Sequence, residues 1–228
     1  METQKNTAVF VRLKDNVTYQ CHQCGQCCRH IEHGVMVESI DAYQITKYLK
    51  EGQNAKVTTI DDVLSLYCDL MPLTEKCFPI FMMKTTGPDA ACVFLKNGRC
   101  SIYEARPRTC RIYPFSMGPG ERGRDFTYCL CFDNNRQYHF SGKTVSVKDW
   151  FYRNVPREEK EYLKLEYAAV EKMGKLMHSI PAEICEQMLF QNLYYRYYNF
   201  DLEQPFLPQY QRNICQLLEK LREVQQRG

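Results

Sequence analysis

Cys21-His22-Gln23-Cys24-Gly25-Gln26-Cys27-Cys28 puts four cysteines into eight residues, as C-x2-C-x2-C-C. Thiols this dense either ligate a soft metal or pair as disulfides. The chain of 228 residues holds 13 cysteines, an odd number that rules out complete internal pairing. Its opening, Met1-Glu-Thr-Gln-Lys-Asn-Thr7, has no apolar run behind a basic start. That predicts no secretory signal and a reducing, cytoplasmic location, where disulfide frameworks are rare. Metal is therefore expected. Three cysteines at three-residue spacing can curl their sulfurs around one centre, and a bacterial ferredoxin motif starts with the same spacing. Cys28 departs from that motif by following Cys27 at once. Side chains of adjacent residues diverge, so Cys27 and Cys28 are poor candidates to bind the same ion. Cys28 then serves a second metal, stays a free thiol, or joins a multinuclear cluster. Gly25 suits a tight loop whose backbone approaches a neighbour closely.

The second half of the site is expected from Cys92, Cys100 and Cys110, followed by Cys129 or Cys131. Four early and four later thiols suffice for two four-thiolate centres. Thiolate-only ligation points to zinc or an iron–sulfur cluster and away from magnesium or calcium. Four thiolates on Zn2+ leave a negative centre. Arg29, Arg106, Arg108 and Arg111 lie beside cysteines in sequence and either offset that charge or form solvated surface. His22, His30 and His33 flank the first cluster and His139 follows the last strand. With eight thiols at hand these histidines are read as surface or supporting groups, and His178 as structural. Cys68 and Cys77 are read as free thiols, Cys185 and Cys215 as core residues.

Around these blocks the pattern is α+β. Residues 8–20 and 34–37 read as strands. A helix is expected over 40–49 with Gly52 as its stop, and Thr58-Thr59-Ile60-Asp61-Asp62 caps another over about 60–70. Residues 78–84 and 126–132 read as strands. Asn97-Gly98 between apolar runs is the strongest hairpin signal in the chain. It places Cys100 beside the preceding strand, with Cys92 at that strand's outer end. Pro107 and Pro114 limit Arg106–Tyr113 to one short turn or helix. Beyond Val145 cysteines thin out. Helices are expected over 147–178 with a break near Pro156, from Pro181 to Tyr198, and after Pro205 and Pro208. In the last of these, Ile214, Leu217, Leu218, Leu221 and Val224 share a face. The expectation is a small, irregular, metal-stabilised cysteine-rich core over 1–144 and a helical C-terminal extension over 145–228.

The two cysteine blocks and their flanks carry a resemblance. Cys-x2-Cys-Gly-x-Cys-Cys, Cys92-Val-Phe-Leu, Gly98-Arg-Cys100-Ser-Ile-Tyr103-Glu-Ala-Arg106-Pro107 and Thr109-Cys110-Arg111-Ile-Tyr113-Pro114 resemble the YkgJ-type cysteine cluster proteins, also called the zinc- or iron-chelating CxxCxxCC domain. The resemblance spans roughly residues 18–153. It implies eight metal-binding cysteines, of which Cys21, Cys24, Cys27, Cys28, Cys92, Cys100 and Cys110 carry over directly. The family often has Cys-Pro-Gly at the eighth, where this chain has Cys129-Leu-Cys131. The run to His139-Phe140 favours Cys131, and both are kept. A related cluster occurs in flagellin lysine N-methylases, so the resemblance also implies an S-adenosylmethionine-dependent alternative.

Net charge is +3, with basic and acidic residues interleaved, which gives no electrostatic footprint for nucleic acid. No window reaches the apolar length of a membrane span. Gly118-Pro-Gly120-Glu-Arg-Gly123 matches G-x-G-x-x-G, but the segment after it reads as strand instead of helix, so it is taken as a plain loop. Tyr194-Tyr195-Arg196-Tyr197-Tyr198 reads as core and packing surface. The leading expectation is a metal-cluster binding protein, iron–sulfur slightly ahead of zinc. The alternatives are the N-methylase and a zinc-stapled module whose C-terminal helices dock a protein partner.

Overall fold

Short strands dominate the first part of the chain and long helices the last. The computed structural model describes residues 7–32, 34–72, 78–120, 125–132, 138–178 and 180–227. His33, Cys77 and Gly123 lie outside that set, as does the side chain of Cys185.

The strand expected over 8–20 is two strands, β1 (Thr7–Val11) and β2 (Asn16–Thr18). Between them the chain turns on Asp15, whose Oδ2 accepts the Arg12 N–H at 2.8 Å. β3 (Met36–Val37) leads into α1 (Ser39–Glu51). Asp41 Oδ2 caps that helix by accepting the Glu38 N–H at 3.1 Å, and Gly52 ends it as expected. α2 (Ile60–Tyr67) starts on the anticipated Thr59–Asp62 capping box. It stops at Tyr67, short of the expected 70, because Cys68–Pro72 is drawn into β4 against β5 (Pro79–Met83). Sheet pairing outweighs local helix preference there. β3, β5 and β4 form one antiparallel sheet.

Two ribbons follow: β6 (Thr85–Thr86) with β7 (Ala91–Cys92), and β8 (Leu95–Lys96) with β9 (Arg99–Cys100). Asn97 and Gly98 both take positive φ, 50° and 74°, the pattern of a type I′ hairpin turn. Cys100 lies opposite Leu95 as predicted, whereas Cys92 belongs to the neighbouring ribbon, opposite Thr85. α3 (Arg108–Ile112) is the short helix bounded by Pro107 and Pro114. β10 (Phe115–Pro119) and β11 (Phe126–Phe132) pair with β1 in the order β1-β11-β10, and β12 (Thr144–Ser146) pairs with β2. Gly118 lies within β10 and pairs with Thr127, and the Gly120 N–H donates to Asp125 O at 2.7 Å.

The C-terminal helices are α4 (Val147–Asn154), α5 (Arg157–His178), α6 (Ala182–Leu193), a π-helical segment (Tyr194–Tyr198) and α7 (Phe206–Arg227). Pro156 separates α4 from α5. Pro208 does not precede the last helix but lies in its first turn, where a missing N–H leaves no bond unmade. The result is a mixed α+β fold with C-terminal helices, as expected. Its buried apolar residues form one cluster that runs from Val35 and Ile45 through Ile112 and Phe115 to Tyr162, Met173, Tyr210 and Leu221. Within it, Arg196 and the hydroxyl of Tyr210 both donate to the buried Glu166 carboxylate. Cys68 is buried, and burial pushes its thiol up to about 12. Cys215, expected in the core, is exposed, because it lies one position off the Ile214–Leu218–Leu221 stripe. In the tyrosine run, Tyr197 is core against Phe81 at 4.8 Å, while Tyr194 stays half exposed.

Candidate metal centre

The first cysteine loop is tied down at three places. Ahead of it, the Tyr19 N–H donates to Lys143 O at 2.9 Å and the Gln20 N–H to His139 O at 2.8 Å. Within it, Gly25 takes φ +73°, and a Cβ there would stand 2.5 Å from Gly98 O, so the loop presses directly on the hairpin turn that leads to Cys100. A 3-10 turn over Gln26–Cys28 follows. After it, the His30 and Ile31 N–H groups donate to Asp89 O and Ala90 O at 2.8 and 3.2 Å, three and two residues before Cys92. Arg29 pairs with Asp89 at the same seam. Each segment that holds the first loop thus carries another metal-type donor.

Cys110 arrives on α3, which α1 and α5 fix from behind. The Arg108 N–H donates to Asp41 Oδ1 at 2.9 Å. The Arg108 guanidinium binds both oxygens of Glu38, at 3.0 and 2.9 Å. Arg111 donates to both oxygens of Glu159 at 2.7 Å and to Asn154 O at 2.8 Å. Asp41 is enclosed beneath this pair. Burial, and then the charges of Glu38 and Glu159, lift its carboxyl to about 7.

These anchors bring Cys21, Cys24, Cys27, Cys28, Cys92, Cys100 and Cys110 onto the wall of one cavity of about 500 Å³. Cys21, Cys24 and Cys27 are exposed at its mouth and the other four are half-buried. The thiols raise one another. Cys28 is pushed up first by its hydrogen bond with Cys27, then by burial and by the charges of Cys27, Cys110 and Cys92. Burial pushes Cys110 up, with the charges of Cys92, Cys27 and Cys100 adding to it. Cys92 and Cys100 are raised by burial as well. Such a group resists ionising until a cation stabilises its thiolates, and metal uptake then releases protons. Among the described residues, no three Cys, His, Asp or Glu side chains already close on a common point. The donor set fits a thiophilic metal or cluster: seven thiols from two blocks line one cavity, with no carboxylate cage among them.

Sequence position misjudged the charges around this wall. Arg29, Arg108 and Arg111 are committed to Asp89, Glu38 and Glu159. Of the four arginines expected near sulfur, only Arg106 lines the cavity, its guanidinium 3.6 Å over the Tyr103 ring; Arg99, not anticipated, joins it. Cys129 and Cys131 lie on β11, and neither is part of the lining. His139 is, at 2% exposure, with its Nε2 3.3 Å from Cys24 Sγ. The hydroxyl of Tyr138 lies at the same distance from that sulfur. His22 sits outside the lining, its ring 5.6 Å from that of His139.

With the cysteine wall in view, the family follows from the sequence match. The family model described as "CxxCxxCC: Putative zinc- or iron-chelating domain" matches residues 20–139, just over half of the chain. The chain belongs to the CxxCxxCC family. The matched span begins beside Tyr19 and ends at His139, so it contains every cysteine of the cavity. Zinc or iron, as the description has it, is the same pair that the thiol chemistry selects. An uncharacterised protein of Methanocaldococcus jannaschii is similar, 28% identical over 120 residues, which make up 52% of this chain and 56% of the relative. The chain thus spans about half the length of that curated relative. No solved structure matches it. Among the described residues, no helix is long and apolar enough to cross a membrane.

Proposed function

We propose that this member of the CxxCxxCC family binds a metal cluster in a reducing compartment, iron–sulfur ahead of zinc, and serves electron transfer, metal handling or redox sensing. The observation that carries the reading is the gathering of seven thiols from two distant blocks on one cavity of about 500 Å³. One tetrahedral zinc uses four ligands. Seven thiols around so wide a space suit a polynuclear centre better. The C-x2-C-x2-C spacing of Cys21, Cys24 and Cys27 supports the same choice. Arg99 and Arg106 would stand against the negative charge of such a centre. The N-methylase reading rests on family analogy, and Gly118, the first glycine that could have made a cofactor turn, lies in strand β10.

The test is purification without oxygen, a visible absorption spectrum, and iron, sulfide and zinc per chain. Matched iron and sulfide in a brown protein is the expected result. A colourless protein with stoichiometric zinc would replace the cluster by a zinc site, and no metal of either kind would sink the proposal. Cys24→Ser and Cys100→Ser, one from each block, should each lower the metal content.

A further inference from the structure

We infer that His139 supplies the eighth donor of this centre, together with Cys21 and Cys24, and that Cys129 and Cys131 do not. The inference rests on the metal-binding reading above and adds a nitrogen ligand to it.

Three observations carry it. First, position: His139 is buried against the cavity, and its Nε2 lies 3.3 Å from Cys24 Sγ. A nitrogen and a sulfur on one tetrahedral metal stand about 3.6 Å apart, from metal–ligand lengths of roughly 2.05 and 2.3 Å. The pair is within a few tenths of an ångström of that spacing. Second, anchorage: the Gln20 N–H holds His139 O at 2.8 Å, next to Cys21, and the Tyr19 ring packs edge-on to the imidazole at 6.1 Å. The ring is thus placed by the two residues that precede the first cysteine. Third, register: Cys129 and Cys131 flank the buried Leu130 on β11, so both point to the opposite face of the sheet. There Cys129 lies across from Phe10, which is 79% exposed, and Cys131 across from Ala8. Cys131 Sγ lies 3.8 Å from Ser116 Oγ on the neighbouring strand. A shift of one residue would be needed to turn either thiol inward.

The chemistry favours the exchange. An imidazole donor is neutral, so three thiolates and one histidine leave −1 on a divalent ion where four thiolates leave −2. Glu104 also lines the cavity and brings a further negative charge to it. A neutral eighth donor eases that balance.

The experiment is X-ray absorption at the edge of the bound metal, on the full chain as isolated, with metal content measured alongside. Imidazole scattering in the wild type, lost with part of the metal in His139→Ala, and unchanged in Cys129→Ser/Cys131→Ser, is the expected result. An all-sulfur shell at full metal content would overturn the inference and leave the metal reading standing. So would metal loss in the double serine variant with none in His139→Ala. A wild-type protein without metal would overturn the metal reading itself. The wild-type spectrum decides even if His139→Ala fails to fold.

Discussion

Gly25→Ala tests whether the two cysteine blocks are docked as the backbone indicates. Gly25 takes φ +73°, and a left-handed alanine costs roughly 1–2 kcal/mol. Its Cβ would also sit 2.5 Å from Gly98 O and 2.9 Å from Leu95 Cδ1. The first of these is backbone, so the loop and the β8–β9 hairpin must separate, an overpacking cost of about 1–3 kcal/mol. The sum, about 2–5 kcal/mol, corresponds to a fall in melting temperature of roughly 4–20 °C for a chain of this size. Gly98→Ala is the internal control. Gly98 has φ +74°, but a Cβ added there would meet nothing within 4 Å, so it carries the conformational cost alone. Thermal unfolding by circular dichroism, with metal per chain measured on the same samples, reads both effects. Gly25→Ala should melt several degrees below Gly98→Ala and hold less metal, because Cys24 and Cys27 lose their register against Cys100. Equal melting temperatures and equal metal content in the two variants would refute the docking argument.

Arg108→Met should destabilise the protein by about 3–5 kcal/mol in urea titrations, since it leaves Glu38 buried without its partner; a loss under about 1 kcal/mol would show that the ion pair is not closed in solution. Asp41 predicts a pH trend: its folded carboxyl is raised to about 7, so its stabilising contribution is present below the unfolded value near 4 and is lost as pH rises through about 7. The urea midpoint of the wild type should therefore fall relative to that of Asp41→Asn between pH 4.5 and 7.5, and a rising difference would refute the assignment. Removing metal with a chelator under reducing conditions should leave amide exchange in α5 and α7 slow while it speeds exchange at Cys28, Arg29 and Cys110; uniform loss of protection would mean that the helices depend on the metal.

What the sequence made legible was local. The Thr59–Asp62 capping box and the Asn97–Gly98 turn each depend on neighbours a few residues apart, and both form where the residue types require. The seven cavity cysteines were legible for a different reason, because thiols at such density have few uses. Misreadings arose where a distant partner decides the outcome. Whether Arg108 faces sulfur or carboxylate depends on Glu38, 70 positions away, and Arg111 is claimed by Glu159 at a separation of 48. Cys68–Pro72 became strand because β5 was there to pair with it. From sequence alone His139 reads as a surface or supporting group; that it is buried with its Nε2 3.3 Å from Cys24 Sγ depends on a contact 115 positions away.

The arrangement also bears on what the centre is for. The wall of thiols is assembled from loops and two-residue ribbons, yet α3, which carries Cys110, is clamped to α1 and α5 by ion pairs with Glu38 and Glu159. α5 and α7 bury Tyr162, Leu163, Met173, Tyr210 and Leu217, none of which lines the cavity. A centre that served only as a staple would be expected where no such core exists, as in small metallo-domains that unfold when the metal leaves. Here the helical part is well buried, within the same apolar cluster that reaches Phe94 and Ile102 at the cavity wall. The thiols at the mouth, Cys21, Cys24 and Cys27, are exposed to solvent while their partners are half-buried. That accessible rim would let metal, electrons or an oxidant reach the sulfurs, in keeping with the redox or metal-handling role proposed above.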